Sequence, residues 1–314
     1  MKLLVGHTIK KMLIVVLLVV SHGTSYSQPY KLKVVSYNIW NGYEWGKDSL
    51  RRSKLIGWMD ARKPDIVALQ ELCAYTEEKL AKDAGAWGHE HSVLLKKTGY
   101  SVGITSRYPI IVKEKILEGM HHGALHCEIK GVEVFVIHLS PFSWKKRDEE
   151  ADILLSRIKK RQLLQHDKDI IVCGDFNALS PVDYDWYNGN ASLLEKRRES
   201  EKKHEHIENL RNGMLCFSTI SKFMGAGLYD VCARYVNEGS DRRTSPTLVF
   251  AKNKEDEERL RKNSVRIDFI LASYSLAEKC TNAAILNKNE TSRLSDHYPV
   301  ECLFVLNKKN ENRE

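Results

Sequence analysis

The sequence predicts an α+β fold: two packed β-sheets with helices on their outer faces. Three observations support this. Short apolar, β-branched runs recur in both halves of the 314-residue chain. Only a few segments carry helical periodicity. No Pro/Ser-rich linker interrupts residues 30–308, so one large domain is favoured, although length alone would permit two. In chain order, strands are predicted at "KLKVVSYNI" (31–39), "DIVALQE" (65–71), "SVGITS" (101–106), "LHCEIKG" (125–131) and "VEVFVIHLS" (132–140), with a hairpin at Lys130-Gly131. The second half adds "DIIVCGDFN" (169–177), "SVRIDFILAS" (264–273) and "PVECLFVL" (299–306). A helix is predicted over 49–62, where Leu55, Trp58 and Met59 share a face. Another is predicted over 148–165, where Ala151, Leu154, Leu155 and Ile158 do. The stretches around 191–215 and 252–263 are strongly charged. They are expected as solvated insertions, the first a helix or flexible excursion and the second a loop.

The N-terminus has the order of parts of a secretory signal peptide. "MKLLVGHTIKK" is basic, "MLIVVLLVV" (12–20) is a short apolar core, and "SHGTSYS" is small and polar, with cleavage expected after Ser27. The core is too short to span a bilayer comfortably, and no later run is apolar for long enough to do so. The mature chain, 28–314, is therefore expected to be exported (periplasmic or secreted) and without a stable membrane span. Losing Lys2, Lys10 and Lys11 lowers the net charge from +8 to +5. That excess suits an anionic substrate, but the interleaved acids speak for solvated helices rather than for a nucleic-acid footprint. Seven cysteines without a CxxC pair exclude a zinc cluster. Cys73, Cys127, Cys173 and Cys302 sit among apolar residues and read as small buried hydrophobes.

Several apolar runs end on a residue able to bind metal or move protons: Asn38, Glu71, His138, Asp175 with Asn177, and Asp268. Asp296 and His297 precede the last strand. Each alone is ordinary, since a strand-terminal Asn or Asp usually makes a turn. Six such endings are harder to attribute to turns. Carboxylates with few thiols suit Mg²⁺ or Mn²⁺ better than zinc. An imidazole beside a carboxylate, as His297 with Asp268, suits proton transfer. Together these groups point to hydrolysis of a phosphoester.

With those residues in view, the chain resembles the endonuclease/exonuclease/phosphatase superfamily of metal-dependent phosphoesterases. The resemblance rests on "SYNIWNG" (36–42), "DIVALQEL" (65–72), "GITSRYPI" (103–110), "VFVIHLSP" (134–141), "CGDFNALSP" (173–181), "RIDFILAS" (266–273) and "LSDHYPV" (294–300), in the family's order. It implies a four-layer αββα sandwich with the site at one edge of both sheets. By motif, Glu71 would be the principal metal ligand, Asn38 would assist, and Asp296 would lie near or on the metal. Asp175 would orient or activate water, Asn177 would hold phosphoryl oxygens, and His138 would contact the scissile phosphate. Asp268 would position His297, and both His297 and Asp175 remain eligible as the base. His138 at its strand end resembles the deoxyribonuclease I-like, sphingomyelinase-like and phosphatase branches more than the apurinic-site endonucleases.

Tyr184, Trp186 and Tyr187 follow the Asp175/Asn177 motif and are candidates for substrate contact; core packing is an equal alternative for Trp186. The expected substrate is a phosphodiester in a nucleic acid or phospholipid. The alternatives are a sugar- or inositol-phosphate monoester and, in a different class, a non-catalytic binding protein on the same scaffold. A monomer is expected.

Overall fold

The computed structural model describes residues 28–164, 168–236 and 239–307. The expected leader, 1–27, lies outside them. Twelve strands form two six-stranded sheets. The first sheet contains β1 (Tyr30–Asn38), β2 (Ile66–Gln70), β3 (His91–Leu94), β4 (Gly103–Ser106), β13 (Cys280–Ile285) and β14 (Val300–Leu306), in the order β13-β14-β1-β2-β4-β3. The second contains β5 (Ile111–Ile116), β6 (Ala124–Ile129), β7 (Val132–His138), β8 (Ile170–Asp175), β11 (Leu228–Asp230) and β12 (Asp268–Ser273), in the order β11-β12-β8-β7-β6-β5. Each sheet has one parallel pair near its centre, β1 with β2 and β7 with β8. Covered on both faces, these strands read as unbroken apolar runs.

The layers follow from which side chains each face buries. Between the sheets, Val34, Ile66 and Ile104 from the first meet Val134, Ile171 and Ile270 from the second. On the outer face of the first sheet, Val35 and Leu69 pack against Leu55, Trp58 and Met59 of the helix Ser49–Arg62. On the outer face of the second, Phe135, Ile137 and Val172 pack against Ala151, Leu154 and Ile158 of the helix Trp144–Leu164. The result is the expected helix–sheet–sheet–helix sandwich. The helix Ser49–Arg62 begins where Asp48 accepts from Arg51 N at 2.9 Å, which satisfies one of the free first-turn amides. No helix of the described residues is long and apolar enough to cross a membrane.

The hairpin at Lys130-Gly131 is present, and both turn residues have positive φ (53° and 79°), as a tight two-residue turn requires. The helix expected from 148 starts earlier, at Trp144. The charged stretch from 191 is a helix, Ala191–Lys203, followed by a small hairpin of β9 (Leu210–Arg211) and β10 (Met214–Leu215). The expected loop at 252–263 is instead a helix, Lys254–Asn263. It buries no residue, so no apolar periodicity marks it. Its capping does: Asn253 accepts from Asp256 N at 2.8 Å, the first turn carries Glu255, Asp256 and Glu257, and the last carries Arg261 and Lys262. All seven cysteines are free thiols, and the four expected as buried are buried.

One segment departs from ordinary backbone. Trp40 through Gly46 all have positive φ, between 50° and 87°, forming a left-handed turn of seven residues. Five of them carry side chains, and each costs about 1–2 kcal/mol in this conformation. Tertiary contacts offset that cost. Arg51 Nη1 donates to Ile39 O at 2.8 Å and Nη2 to Trp40 O at 3.0 Å, and the guanidinium lies over the Trp40 and Tyr43 rings. At Gly42, a Cβ would stand 2.1 Å from Cys73 O, so only glycine fits.

Candidate active site

Strand register does most of the assembly. His138 is the partner of Asp175 in the parallel β7–β8 pair, and Asp175 is the partner of Asp268 in the antiparallel β8–β12 pair. Three neighbouring strands therefore deliver His138, Asp175 and Asp268 in a single row. Gly174, in β8 with φ 143°, lets this strand approach β7, because a Cβ there would stand 2.0 Å from Ile137 O. In the first sheet Asn38 pairs with Gln70 at the ends of β1 and β2, and Glu71 follows with a left-handed φ of 60°.

Asn38 joins the two halves. Its Nδ2 donates to Glu71 Oε1 and to Asp175 Oδ2, each at 3.1 Å, while its Oδ1 accepts from Trp40 N at 3.1 Å. Glu71 Oε2 accepts from Asn41 N at 2.6 Å, so the left-handed turn itself holds this carboxylate. Asn177 N donates to Asp175 Oδ1 at 2.8 Å, and Asn177 Nδ2 to Leu139 O at 3.0 Å. His297 Nδ1 lies 2.8 Å from Asp268 Oδ2, and its Nε2 lies 3.8 Å from Asp175 Oδ2. His138 Nε2 approaches the same Asp175 oxygen at 3.6 Å. Ser295 Oγ donates to Asn38 O at 2.6 Å and lies 3.3 Å from Asp296 Oδ1, tying the "LSDH" turn to β1.

The electrostatics follow from burial and crowding. Burial, with the Asp268 charge next in weight, pushes the Asp175 carboxyl up to about 8. Burial also raises Glu71 against the opposing Asn41 N–H, and the Asp296 charge adds to it. Asp296 is raised by burial too, with His297 opposing. For His297, burial works downward, but the Asp268, Asp296 and Asp175 carboxylates outweigh it and hold the imidazole well above its usual value. His138 goes the other way: burial first, then His122 and His297, keeps it well below the usual range. The two imidazoles of the site are thus pushed in opposite directions.

Whether a cation fits can be read from the donors. Glu71, Asp175, Asp268 and Asp296 lie within ion-pair distance of no lysine or arginine among the described residues. Buried Asp268 Oδ1 and His138 Nδ1 have no hydrogen-bond partner. Asp175, Asp268 and His297 offer ligand atoms within 4.8 Å of one another, and this group can hold a metal ion. An excess of buried carboxylate oxygen fits a hard divalent cation.

The structure brings Asn38, Glu71, His138, Asp175, Asn177, Asp268, Asp296 and His297 together at one edge of the sandwich. The aromatic candidates have other hydrogen-bond partners. Tyr187 is buried with its hydroxyl 3.2 Å from Arg266 N. Trp186 Nε1 reaches Ser264 O at 3.4 Å, and exposed Tyr184 bonds Asn188. The contacts that do surround the site include residues the motifs did not mark. His122 stacks on His138 with centroids 4.1 Å apart, and Tyr100 stands 5.3 Å from His122. Glu150 accepts from His121 N at 2.5 Å and Ser140 N at 2.8 Å, pinning the loops on either side of His138. Their sequence contexts, "KKTGYS" and "RDEEA", carry no signal that separates them from ordinary loop and helix residues.

Two six-stranded sheets meeting at a buried carboxylate–imidazole constellation define a phosphoester hydrolase. The chain belongs to the endonuclease/exonuclease/phosphatase family, whose model matches residues 35–297; it is a hydrolase acting on phosphoric ester bonds. Solved structures agree on the fold. An AP endonuclease from Archaeoglobus fulgidus is 22% identical, with TM-score 0.61, covering 87% of this chain and 99% of that one. The 3′ phosphatase NExo from Neisseria, bound to a product DNA hairpin, is 21% identical with TM-score 0.60 and the same coverage. A family protein from Bacteroides thetaiotaomicron is 16% identical with TM-score 0.57, covering 92% and 99%. Comparison with curated proteins yields no match.

Proposed function

We propose that this chain is an exported, Mg²⁺- or Mn²⁺-dependent phosphodiesterase. One observation carries the reading. Asp175 lies 3.8 Å from His297 and 3.6 Å from His138, inside a carboxylate cluster that no lysine or arginine among the described residues reaches. Glu71 and Asp296 would hold the cation with the Asp175 and Asp268 carboxylates beside it, and His297, its Nδ1 bonded to Asp268, keeps Nε2 for proton transfer. The bound cation supplies positive charge to a phosphoryl oxygen. Asn38 orients Glu71 and Asp175 through its shared amide. Asp175, in its ionised form, accepts the proton of the attacking water; the acids that push the His297 imidazole up favour Asp175 as base. His297, fixed by Asp268, donates from Nε2 to the oxygen on which charge develops. Neutral His138 and the second N–H of the Asn177 amide are placed to donate to the non-bridging oxygens. A diester carries one negative charge and a monoester two, and the lack of an arginine or lysine on this cluster among the described residues favours the diester. The apolar core at 12–20 supports export, and mass spectrometry of the secreted product, with Gln28 as the expected first residue, tests it.

The decisive experiment is hydrolysis of a generic phosphodiester by the mature protein with Mg²⁺ or Mn²⁺. Asp175→Asn and His297→Ala should each lower the rate by about 10²–10⁴-fold, and chelator should abolish it. Activity that persists in both variants would overturn the assignment.

A further inference from the structure

We propose that the rings on the His138 side of the site form a stacking subsite for an unpaired nucleobase, which makes the substrate single-stranded or end-frayed nucleic acid. This rests on the phosphodiesterase reading above and adds the substrate class. Separate segments deliver the rings. Trp45 comes from the left-handed turn, Tyr100 from the loop between β3 and β4, and His122 from the loop between β5 and β6. Phe142 follows β7. Starting at His138, the centroids run 4.1 Å to His122, 5.3 Å to Tyr100 and 5.9 Å onward to Trp45. His121, 4.4 Å from His122, extends the row to Phe142 at 5.3 Å. Exposure rises along this path, from 3% at His138 and 7% at His122 to 36% at Tyr100 and 49% at Trp45; Phe142 is 38% exposed. The rings therefore form a continuous path from solvent to the imidazole beside Asp175.

Packing does not account for it. Large aromatic side chains left in water at a catalytic mouth add nothing to the core, and Trp45 is carried there on a backbone that is costly to form. Unfavourable backbone held by several tertiary contacts points to function. The chemistry suits a base. Aromatic faces stack on any base, and in a duplex those faces are already occupied, which selects unpaired strands. Lys96 lies on the same loop as Tyr100, four residues earlier, and brings a positive charge suited to a phosphate. A scissile phosphate at His138 with rings at Tyr100 and Trp45 matches the neighbouring anion and base of a polynucleotide.

The test is equilibrium binding in chelator, read by fluorescence anisotropy of an end-labelled oligothymidylate and of a series in which one base at a time is replaced by an abasic spacer. The wild-type protein should lose about 5- to 150-fold in affinity when the spacer falls at one position. Tyr100→Ala, Trp45→Ala and the bulk-retaining Tyr100→Leu should bind the intact oligomer more weakly and show no added penalty for that spacer. Circular dichroism and urea midpoints confirm that each variant is folded. Tyr229→Ala, from an exposed aromatic pair on β11 and the segment after β12 (Tyr229–Tyr274, 5.6 Å), serves as the control and should bind as wild type. Equal affinity for intact and spacer oligomers at every position overturns the subsite. So does binding to sphingomyelin vesicles that depends on Trp45 and Tyr100 without oligomer binding. The two readings fail separately. Diester hydrolysis without a spacer penalty sinks the subsite alone, whereas a spacer penalty without any metal-dependent hydrolysis sinks the phosphodiesterase.

Discussion

Two buried ionic clusters lie within two residues of each other along the "RID" run, and they balance charge in opposite ways. Around Arg266, Nε lies 2.7 Å from Asp183 Oδ2 and Nη2 lies 2.7 Å from Asp230 Oδ2, while Arg242 Nη1 reaches Asp183 Oδ1 at 3.3 Å. Each acid has a guanidinium, and the Arg266 side chain, over the Phe269 ring, is almost fully buried. Around Asp268, four carboxylates share two imidazoles and, among the described residues, no guanidinium. The first cluster anchors the segment after β8 to β11 and β12, so its function is architectural. The second concentrates negative charge that burial makes costly, and such charge persists where a cation and a proton in transit offset it. Sequence proximity conceals the difference; the identity of the partners shows it.

Breaking the balanced cluster should have the largest effect on stability. Arg266→Met leaves Asp183 and Asp230 buried without their main partner and should destabilise by about 3–5 kcal/mol, measured by urea unfolding. A loss under about 1 kcal/mol would mean that the cluster is not what holds this edge together. The unbalanced cluster should respond to metal instead. At a divalent-ion concentration one hundred times the dissociation constant, wild-type stability should rise by about 2.7 kcal/mol. Glu71→Gln or Asp296→Asn should weaken that gain, whereas Asp183→Asn should keep it. If all three variants retained the full gain, the ion would be held elsewhere.

How much of this could be read beforehand follows from the same physics. The eight predicted strands are present, with their ends shifted by up to four residues. The sheet strands that went unpredicted are β3, β5, β11 and β13, the four sheet edges. An edge strand with one face in water carries residues such as Lys113, Glu114 and Lys115 of β5 or Thr281 and Asn282 of β13, so neither alternation nor an apolar run appears. The row of His138, Asp175 and Asp268 was legible because each closes or opens a central strand, where a polar residue stands out against its neighbours. The turn at 40–46 was not, because five of its seven residues disfavour positive φ on their own and contacts from outside the turn, Arg51 and Glu71 among them, hold them there. The ring path is likewise a product of loops whose meeting no local pattern encodes. The helix Lys254–Asn263 could have been read from its charges, since acids opening and bases closing a segment capped by Asn253 are a helix signal independent of apolar period.

The smallest expected effect separates the two kinds of histidine that the site places side by side. The acids around His297 hold its imidazole up; burial, then the His121 and Lys96 charges, hold His122 down to about 3. An unfolded histidine titrates near 6.5. Between roughly pH 6.5 and 3, then, the unfolded chain binds a proton at position 122 that the folded chain refuses, and folding stability falls as pH falls through that window. One such proton changes stability by at most about 1.4 kcal/mol per pH unit. His122→Phe keeps a ring against His138 and removes the titration, so its stability should decline less steeply with acid. Urea unfolding of both proteins at pH 7, 6, 5 and 4 measures the difference, in which the contributions of other groups largely cancel. Parallel curves would place the His122 imidazole in contact with solvent and protonated like any surface histidine, and the stacked, neutral pair at the head of the ring path would have to be abandoned.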